Sequence, residues 1–448
     1  MREPDRGDLR RVIGFWGGTA VIVGITIGSG VFRKPYTLAR DVGDPLVILA
    51  IWAGFGLVSL CGALALAELS SLLPRTGGVY VFLREAYGDA VAFVFGWIYL
   101  LVTTPATIGA LATFFTELLL GCLGGPPGEL PVGVSSAVAA GVIAVLAAAN
   151  LLGARLGAAI QGLFTFVKVA ALAGLTVACF ASASGSFAHL APSGRAVGWA
   201  ALGSGAASVI WAYDGWIAVS MIAGEVVAPE RLMKRIIIAG MLAIVVLYVA
   251  ANVGYFYALP VERMAAGGPD VPQRIVAALV GPAGAAVLGA CIMASVFGAL
   301  NGNVLAKPRV VYAMARDGLT FGFLGRAHPR WGTPAAAILV QAGMAVALVF
   351  VLRDFDALTT YFVVVEWFAL LFAVGAVFVL RRRLPDAPRP FRTPGYPGVP
   401  LFFLAGTAAG LAAIVASELS AGRTAPLVGL GIALAGFPVF KLWKLRAR

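Results

Sequence analysis

The segment Ile27-Gly28-Ser29-Gly30-Val31-Phe32 interrupts an apolar run that extends from about Val12 to Leu38. Glycine costs about 1 kcal/mol relative to alanine in a helix interior, so two glycines and a serine in three positions break the helix that carries them. Inside hydrocarbon an unsatisfied backbone group is costly, and a partner is needed for the groups that the break frees.

The rest of the chain places this break inside a membrane. Of 448 residues, 60% are hydrophobic and only 12% charged, with a mean hydropathy of +0.93, whereas soluble domains carry about 25% charged residues. Apolar runs of the length needed to cross about 30 Å of hydrocarbon recur throughout. They predict an all-α integral membrane protein with twelve spans, near 12–39, 45–73, 90–120, 131–152, 156–181, 198–227, 235–258, 284–306, 334–352, 356–380, 398–418 and 424–442.

The net charge of +12 is a topology signal and gives no support to a nucleic-acid partner. With an even number of spans both termini share a side, and 24 of the 33 Lys and Arg fall on that side against eight on the other. The excess predicts cytoplasmic termini. A charged Met1–Arg11 tail leading into a long first span differs from a cleavable signal peptide.

Several residues stand out against the apolar background. Lys168 lies about twelve residues into the fifth span, roughly 18 Å deep at 1.5 Å per residue; a cation at that depth faces a bundle interior or a pathway far more often than it snorkels to an interface. The sixth span breaks at Trp211-Ala212-Tyr213-Asp214-Gly215-Trp216, and the tenth carries Glu366 at about mid-depth, either a structural carboxyl or a proton-coupling group. The third contains Thr103, Thr104, Pro105 and Thr107, and the proline is tolerated there because neighbouring helices and hydroxyls can satisfy the freed carbonyl. The segment 81–87 reads as a short interfacial helix.

Gly28 and Gly215 lie in the first span of successive groups of five, and five is odd, so the groups insert in opposite orientations. Interrupted spans at matching positions mark the binding site of an inverted-repeat secondary transporter. The repeats are read as 11–181 and 198–381 of a single transmembrane domain, with spans eleven and twelve outside them. The half-helix starting near Val31 offers N–H groups and a positive dipole end to a carboxylate. Carbonyl ends before Gly28 and Gly215 suit an ammonium group. The α-amino acid carries both.

Other chemistries lack their residues. None of the six lysines follows a glycine, so a P-loop is absent. His189 and His328 fall in expected loops, and Cys61, Cys122, Cys179 and Cys291 have no metal or redox spacing. Cys122 and Cys179 both fall near the outer face, as a disulfide or, more simply, as inert buried thiols. No catalytic residue, metal or cofactor is expected.

These residues resemble the amino acid, polyamine and organocation transporters, in particular the L-type branch and its bacterial serine/threonine exchanger-like members. The resemblance spans the chain and is carried by IGSGVF at 27–32, PRTGGVYVFLREAYG at 74–88, AYDGW at 212–216, GEVVAPER at 224–231, FGALNGNVLAKPRVVYAMARDG at 297–318 and RTPGYPGVP at 392–400. It implies a leucine-transporter-like five-plus-five inverted repeat with interrupted helices one and six. The substrate site would be formed by Thr26, Ile27, Gly28, Ser29, Gly30, Thr103, Thr107, Trp211, Tyr213, Asp214, Gly215 and Trp216. In that site N–H groups around Gly28, Ser29 and Gly30 meet the carboxylate, and the carbonyls of Thr26, Trp211 and Asp214 meet the ammonium.

The resemblance further implies that Lys168 replaces a sodium ion by pointing its ammonium at the Gly24 carbonyl and Ser295. It implies a sodium-independent exchanger of small neutral L-amino acids in the cell membrane, working without the heavy subunit of animal members. An acidic side chain at Asp214 would favour cationic substrates instead. A proton-coupled amino acid or polyamine permease and a non-transporting nutrient sensor on the same fold are the alternatives.

Overall fold

The break at Gly28–Gly30 separates two twelve-residue helices, α1 (Phe15–Thr26) and α2 (Gly30–Asp41). The computed structural model describes residues 9–122, 132–268, 270–352 and 355–446. Among these the regular structure is helical, with one isolated bridge between Ile13 and Val226.

The next helix, α3 (Pro45–Leu72), starts on an Asp44 cap whose side chain accepts from the Val47 N–H at 3.0 Å. It is followed by α4 (Val79–Tyr87) and α5 (Asp89–Ile98). Residues Tyr99–Thr103 then form one π-helical turn before α6 (Thr104–Cys122). The π turn has a local cause: Pro105 lacks an N–H and crowds the preceding turn, and the wider turn accommodates both effects. It also sets the rotation of Tyr99, Thr103 and Thr107 about the helix axis.

Two long helices complete the first half, α7 (Val132–Leu151) and α8 (Ala154–Phe180). The second interrupted segment is α9 (Trp199–Tyr213) followed by the short α10 (Ala218–Met221). After these come α11 (Pro229–Ala258), α12 (Val261–Ala266) and α13 (Val271–Ala306), which kinks at Gly281-Pro282 and extends further toward the N-terminus than the 284–306 expectation. The remaining helices are α14 (Pro308–Arg316), α15 (Ala335–Leu352), α16 (Phe355–Arg383), α17 (Gly398–Ser420) and α18 (Ala425–Arg446).

Ten helical segments among the described residues are long and apolar enough to cross a membrane. Of the twelve expected spans, the sixth is divided into α9 and α10, and the ninth is α15, whose apolar stretch Ala335–Val351 is shorter than those ten. The helix α4 is not a surface feature. Val79 to Leu83 are buried, and Tyr80 donates to Asp317 at 3.0 Å while Arg84 pairs with Asp317 at 2.6 Å. Burial, reinforced by the Asp317 carboxylate, holds the Tyr80 hydroxyl well above its ordinary pKa.

Two of the basic residues counted toward the terminal side are interior. Lys307 is 1% exposed and pairs with Glu366, and Arg309 is fully buried against Glu225. Glu68, at the end of α3, receives Arg381 through two nitrogens at 2.9 and 2.7 Å and both the N–H and hydroxyl of Thr393, which anchors the 392–400 segment. Cys61 and Cys179 are buried free thiols. The side chain of Cys122 lies outside the described residues.

Candidate functional site

The two interrupted segments meet through their backbones. A Cβ added to Gly30 would lie 2.6 Å from the Cα of Ala212, so only glycine permits this approach. Gly215, with φ of +108°, would place a Cβ 2.6 Å from the Ile25 side chain and 3.2 Å from the Thr26 nitrogen. Each break therefore depends on a glycine that faces the other one.

Tyr248 of α11 joins the two from behind, its hydroxyl lying 2.7 Å from the Thr26 carbonyl and 3.0 Å from that of Ala212. The ring of Tyr248 packs with Trp52 and Tyr213.

A cavity opens at this junction. The first break lines it with Thr26, Gly28, Ser29 and Gly30, and the second with Trp211 and Asp214. Thr107 and Leu111 of α6, Asn303 of α13 and Ile25 close it. The free space at its centre is about 20 Å³, room for one or two water molecules. Trp211 covers one side: its indole N–H points to the Ser29 hydroxyl at 3.3 Å and its ring meets Phe362 edge-on at 5.5 Å.

Five residues of the expected site do not line this space. The Ile27 carbonyl accepts from Lys168 and Ser295, and the Thr103 carbonyl accepts from the Thr107 hydroxyl. Tyr213 turns into the aromatic cluster, Trp216 packs against Phe403, and Gly215 backs onto Ile25. The Thr26 carbonyl, which the resemblance gives to the substrate ammonium, accepts here from the Gly28 N–H at 2.9 Å and from Tyr248, so both of its lone pairs are used. The Trp211 carbonyl accepts from the Asp214 N–H at 3.2 Å. Gly30 and Val31 open α2, and their N–H groups have no acceptor within that helix.

Beside the first break lies Lys168, fully buried. Its ammonium donates to the carbonyls of Gly24 at 2.6 Å, Ile27 at 2.7 Å and Ser295 at 2.7 Å, and the Ser295 hydroxyl adds a bond to Ile27 at 3.1 Å. Three N–H donors thus meet three oxygens. Gly24 packs so closely on Gln161 and Thr165 that no side chain fits there. Both residues turn toward the Ala20 carbonyl, Thr165 at 2.9 Å.

A second buried cation was not legible as part of the site. Lys307 Nζ reaches the Thr107 hydroxyl at 3.0 Å and Glu366 at 3.4 Å, and lies 4.6 Å from the centre of the Phe362 ring. Glu366 also accepts from the Tyr99 hydroxyl. In the sequence Lys307-Pro308-Arg309 reads as the exit of a span. The signal that could have found the pair is Glu366 itself, since a buried carboxylate calls for a cation.

A family model described as amino acid permease matches residues 13–437. The chain belongs to that family. It is 31% identical to the serine/threonine exchanger SteT of Bacillus subtilis (strain 168) over 450 residues, covering 100% of this chain and 99% of that protein. The human b(0,+)-type amino acid transporter 1 is 28% identical over 409 residues, with 88% of this chain and 80% of the relative covered. The human cystine/glutamate transporter is 29% identical over 450 residues, covering 99% and 87%. Family membership together with the ten long apolar helices makes this a multi-pass membrane protein of amino acid transport, not an enzyme.

Proposed function

We propose that the protein is a sodium-independent exchanger of small neutral L-amino acids, such as serine, threonine or alanine, working by alternating access. In this reading it crosses the cell membrane twelve times with both termini in the cytoplasm, spans one to ten forming two inverted repeats at 11–181 and 198–381. It needs no heavy subunit. The substrate carboxylate docks on the leading N–H groups of α2 near Ser29 and Gly30, and the ammonium docks on the Trp211 and Asp214 carbonyls of the second break.

The observation that carries the reading is the Lys168 ammonium among the carbonyls of Gly24, Ile27 and Ser295. A fixed positive charge there gives the freed carbonyls of the first break the partner that a sodium ion would otherwise supply. The likeness to a serine/threonine exchanger along the full chain supports the substrate class. The small cavity supports a small substrate, with an outward or inward movement of the walls to admit it.

A second reading, proton coupling, is favoured by one specific feature: the fully buried Glu366 carboxylate faces the Lys307 ammonium at 3.4 Å inside the tenth span. Uptake of labelled serine into proteoliposomes separates the two. Exchange predicts uptake that requires internal amino acid and ignores sodium; uptake that follows a pH gradient with empty vesicles would sink it.

A further inference from the structure

Hydrogen-bond accounting gives the cavity a polarity. A threonine hydroxyl has one donor and two acceptor positions. The Thr107 proton is committed to the Thr103 carbonyl at 2.7 Å, and one lone pair takes the Lys307 ammonium at 3.0 Å. Lysine has no acceptor, so Thr107 must accept from it. One lone pair is left, and Thr107 meets the cavity as an acceptor only.

Asn303 behaves in a similar way. Its amide nitrogen donates to the Ala299 carbonyl at 2.9 Å, while its Oδ1 is buried with no partner. Turning the amide over would set two oxygens against each other, so the network fixes the orientation. Asp214 borders the same space. The donors lie on the opposite side, in the leading N–H groups of α2 and in the hydroxyls of Thr26, buried without a partner, and Ser29, which accepts from the Trp211 indole.

We propose that Thr107 and Asn303 select substrates whose side chain donates a hydrogen bond, a short hydroxyl above all, and that Lys307 is the positioning residue that holds Thr107 as an acceptor. The inference rests on reading this cavity as the substrate site. An aliphatic side chain leaves two buried acceptors unmet, which binding sites built for a hydroxyl discriminate against strongly. An acidic side chain sets its own lone pairs against theirs. Lys307, itself 1% exposed and steadied by Glu366, acts through Thr107 without touching the substrate.

The test compares KM for serine and for alanine, which differ by the hydroxyl, in proteoliposomes, with aspartate as competitor. Serine should have a KM at least about 10-fold below that of alanine, and aspartate should not compete. Thr107→Val should bring the ratio near one, and Thr107→Ser should keep it. Lys307→Met combined with Glu366→Gln, which removes both members of the ion pair, should shrink the ratio, and Lys307→Arg should restore much of it. A wild-type ratio within about twofold of one, or a Thr107→Val ratio equal to wild type, overturns the inference while amino acid transport stands. Absence of uptake for every amino acid overturns both.

Discussion

The ammonium of Lys168 and the carbonyl of Ile27 meet at 2.7 Å, so the residue at the first helix break is held by a side chain 141 positions away. That carbonyl sits one residue before Gly28, where the helix can no longer supply an N–H. Sequence-distant charge and local backbone break form one unit.

Lys168→Ala removes the donor to three carbonyls, each left without that partner at a cost of about 1–3 kcal/mol. The expected outcome is loss of turnover with substrate binding still detectable, because the cavity wall itself is intact. Uptake and equilibrium binding measured on the same purified variant check it. Wild-type turnover would remove the proposed role.

At Gly30 the constraint is steric. A methyl group 2.6 Å from the Ala212 Cα cannot be absorbed by side-chain motion, since the neighbour is backbone. Gly30→Ala should therefore separate the two breaks and weaken amino acid binding by 10-fold or more, an order-of-magnitude expectation for about 1.4 kcal/mol of lost contact. Gly30→Val should abolish it. Normal affinity in the valine variant would refute the docking site.

What could be read in advance follows from how local each signal is. Gly28, Gly30 and Gly215 are intrinsic helix breakers, and Lys168 is conspicuous because it lies about twelve residues past the start of an apolar span. Family motifs added Thr107 and Trp211. Lys307 was hidden because its meaning depends on Glu366, 59 residues later, and on the π turn that brings Tyr99 and Thr107 to the same place. The aromatic direction of Tyr213 and Trp216 was equally illegible: at a helix break the backbone no longer follows a fixed period, so neighbouring side chains diverge toward Tyr248 and Phe403.

Asp44 gives a pH-dependent prediction outside the spans. Partial burial pushes its carboxyl up, but the N–H groups of Val47 and Ser193 and the Ser193 hydroxyl outweigh this and hold it below the ordinary value of 3.8. A depressed folded pKa adds stability that is present above the unfolded value and is lost as pH falls through the folded one. Asp44→Ala should lower stability near neutral pH by about 1 kcal/mol, and the gap to wild type should narrow below about pH 4. Thermal unfolding across pH 3 to 7 reads both. A gap that widens on acidification would contradict the assignment.

Arg309 and Glu225 form a fully buried two-point pair, with Nε–Oε1 at 2.6 Å and Nη2–Oε2 at 2.9 Å, and Arg309 also donates to the Leu305 carbonyl. The Glu225 main-chain carbonyl receives the N–H groups of Val12 and Ile13 at 2.8 and 2.9 Å, and Val227 returns an N–H to Ile13 at 2.9 Å. One acidic residue thus ties the segment before α1 to the start of α14. Breaking a buried pair from one side costs about 3–5 kcal/mol because the remaining charge is stranded, whereas apolar replacement of both partners is often neutral. Glu225→Gln should lower the Tm by several degrees, and Glu225→Leu with Arg309→Met should recover most of the loss. If the double variant is as unstable as the single one, the pair acts through its geometry at residues 12–13 and not through its charge.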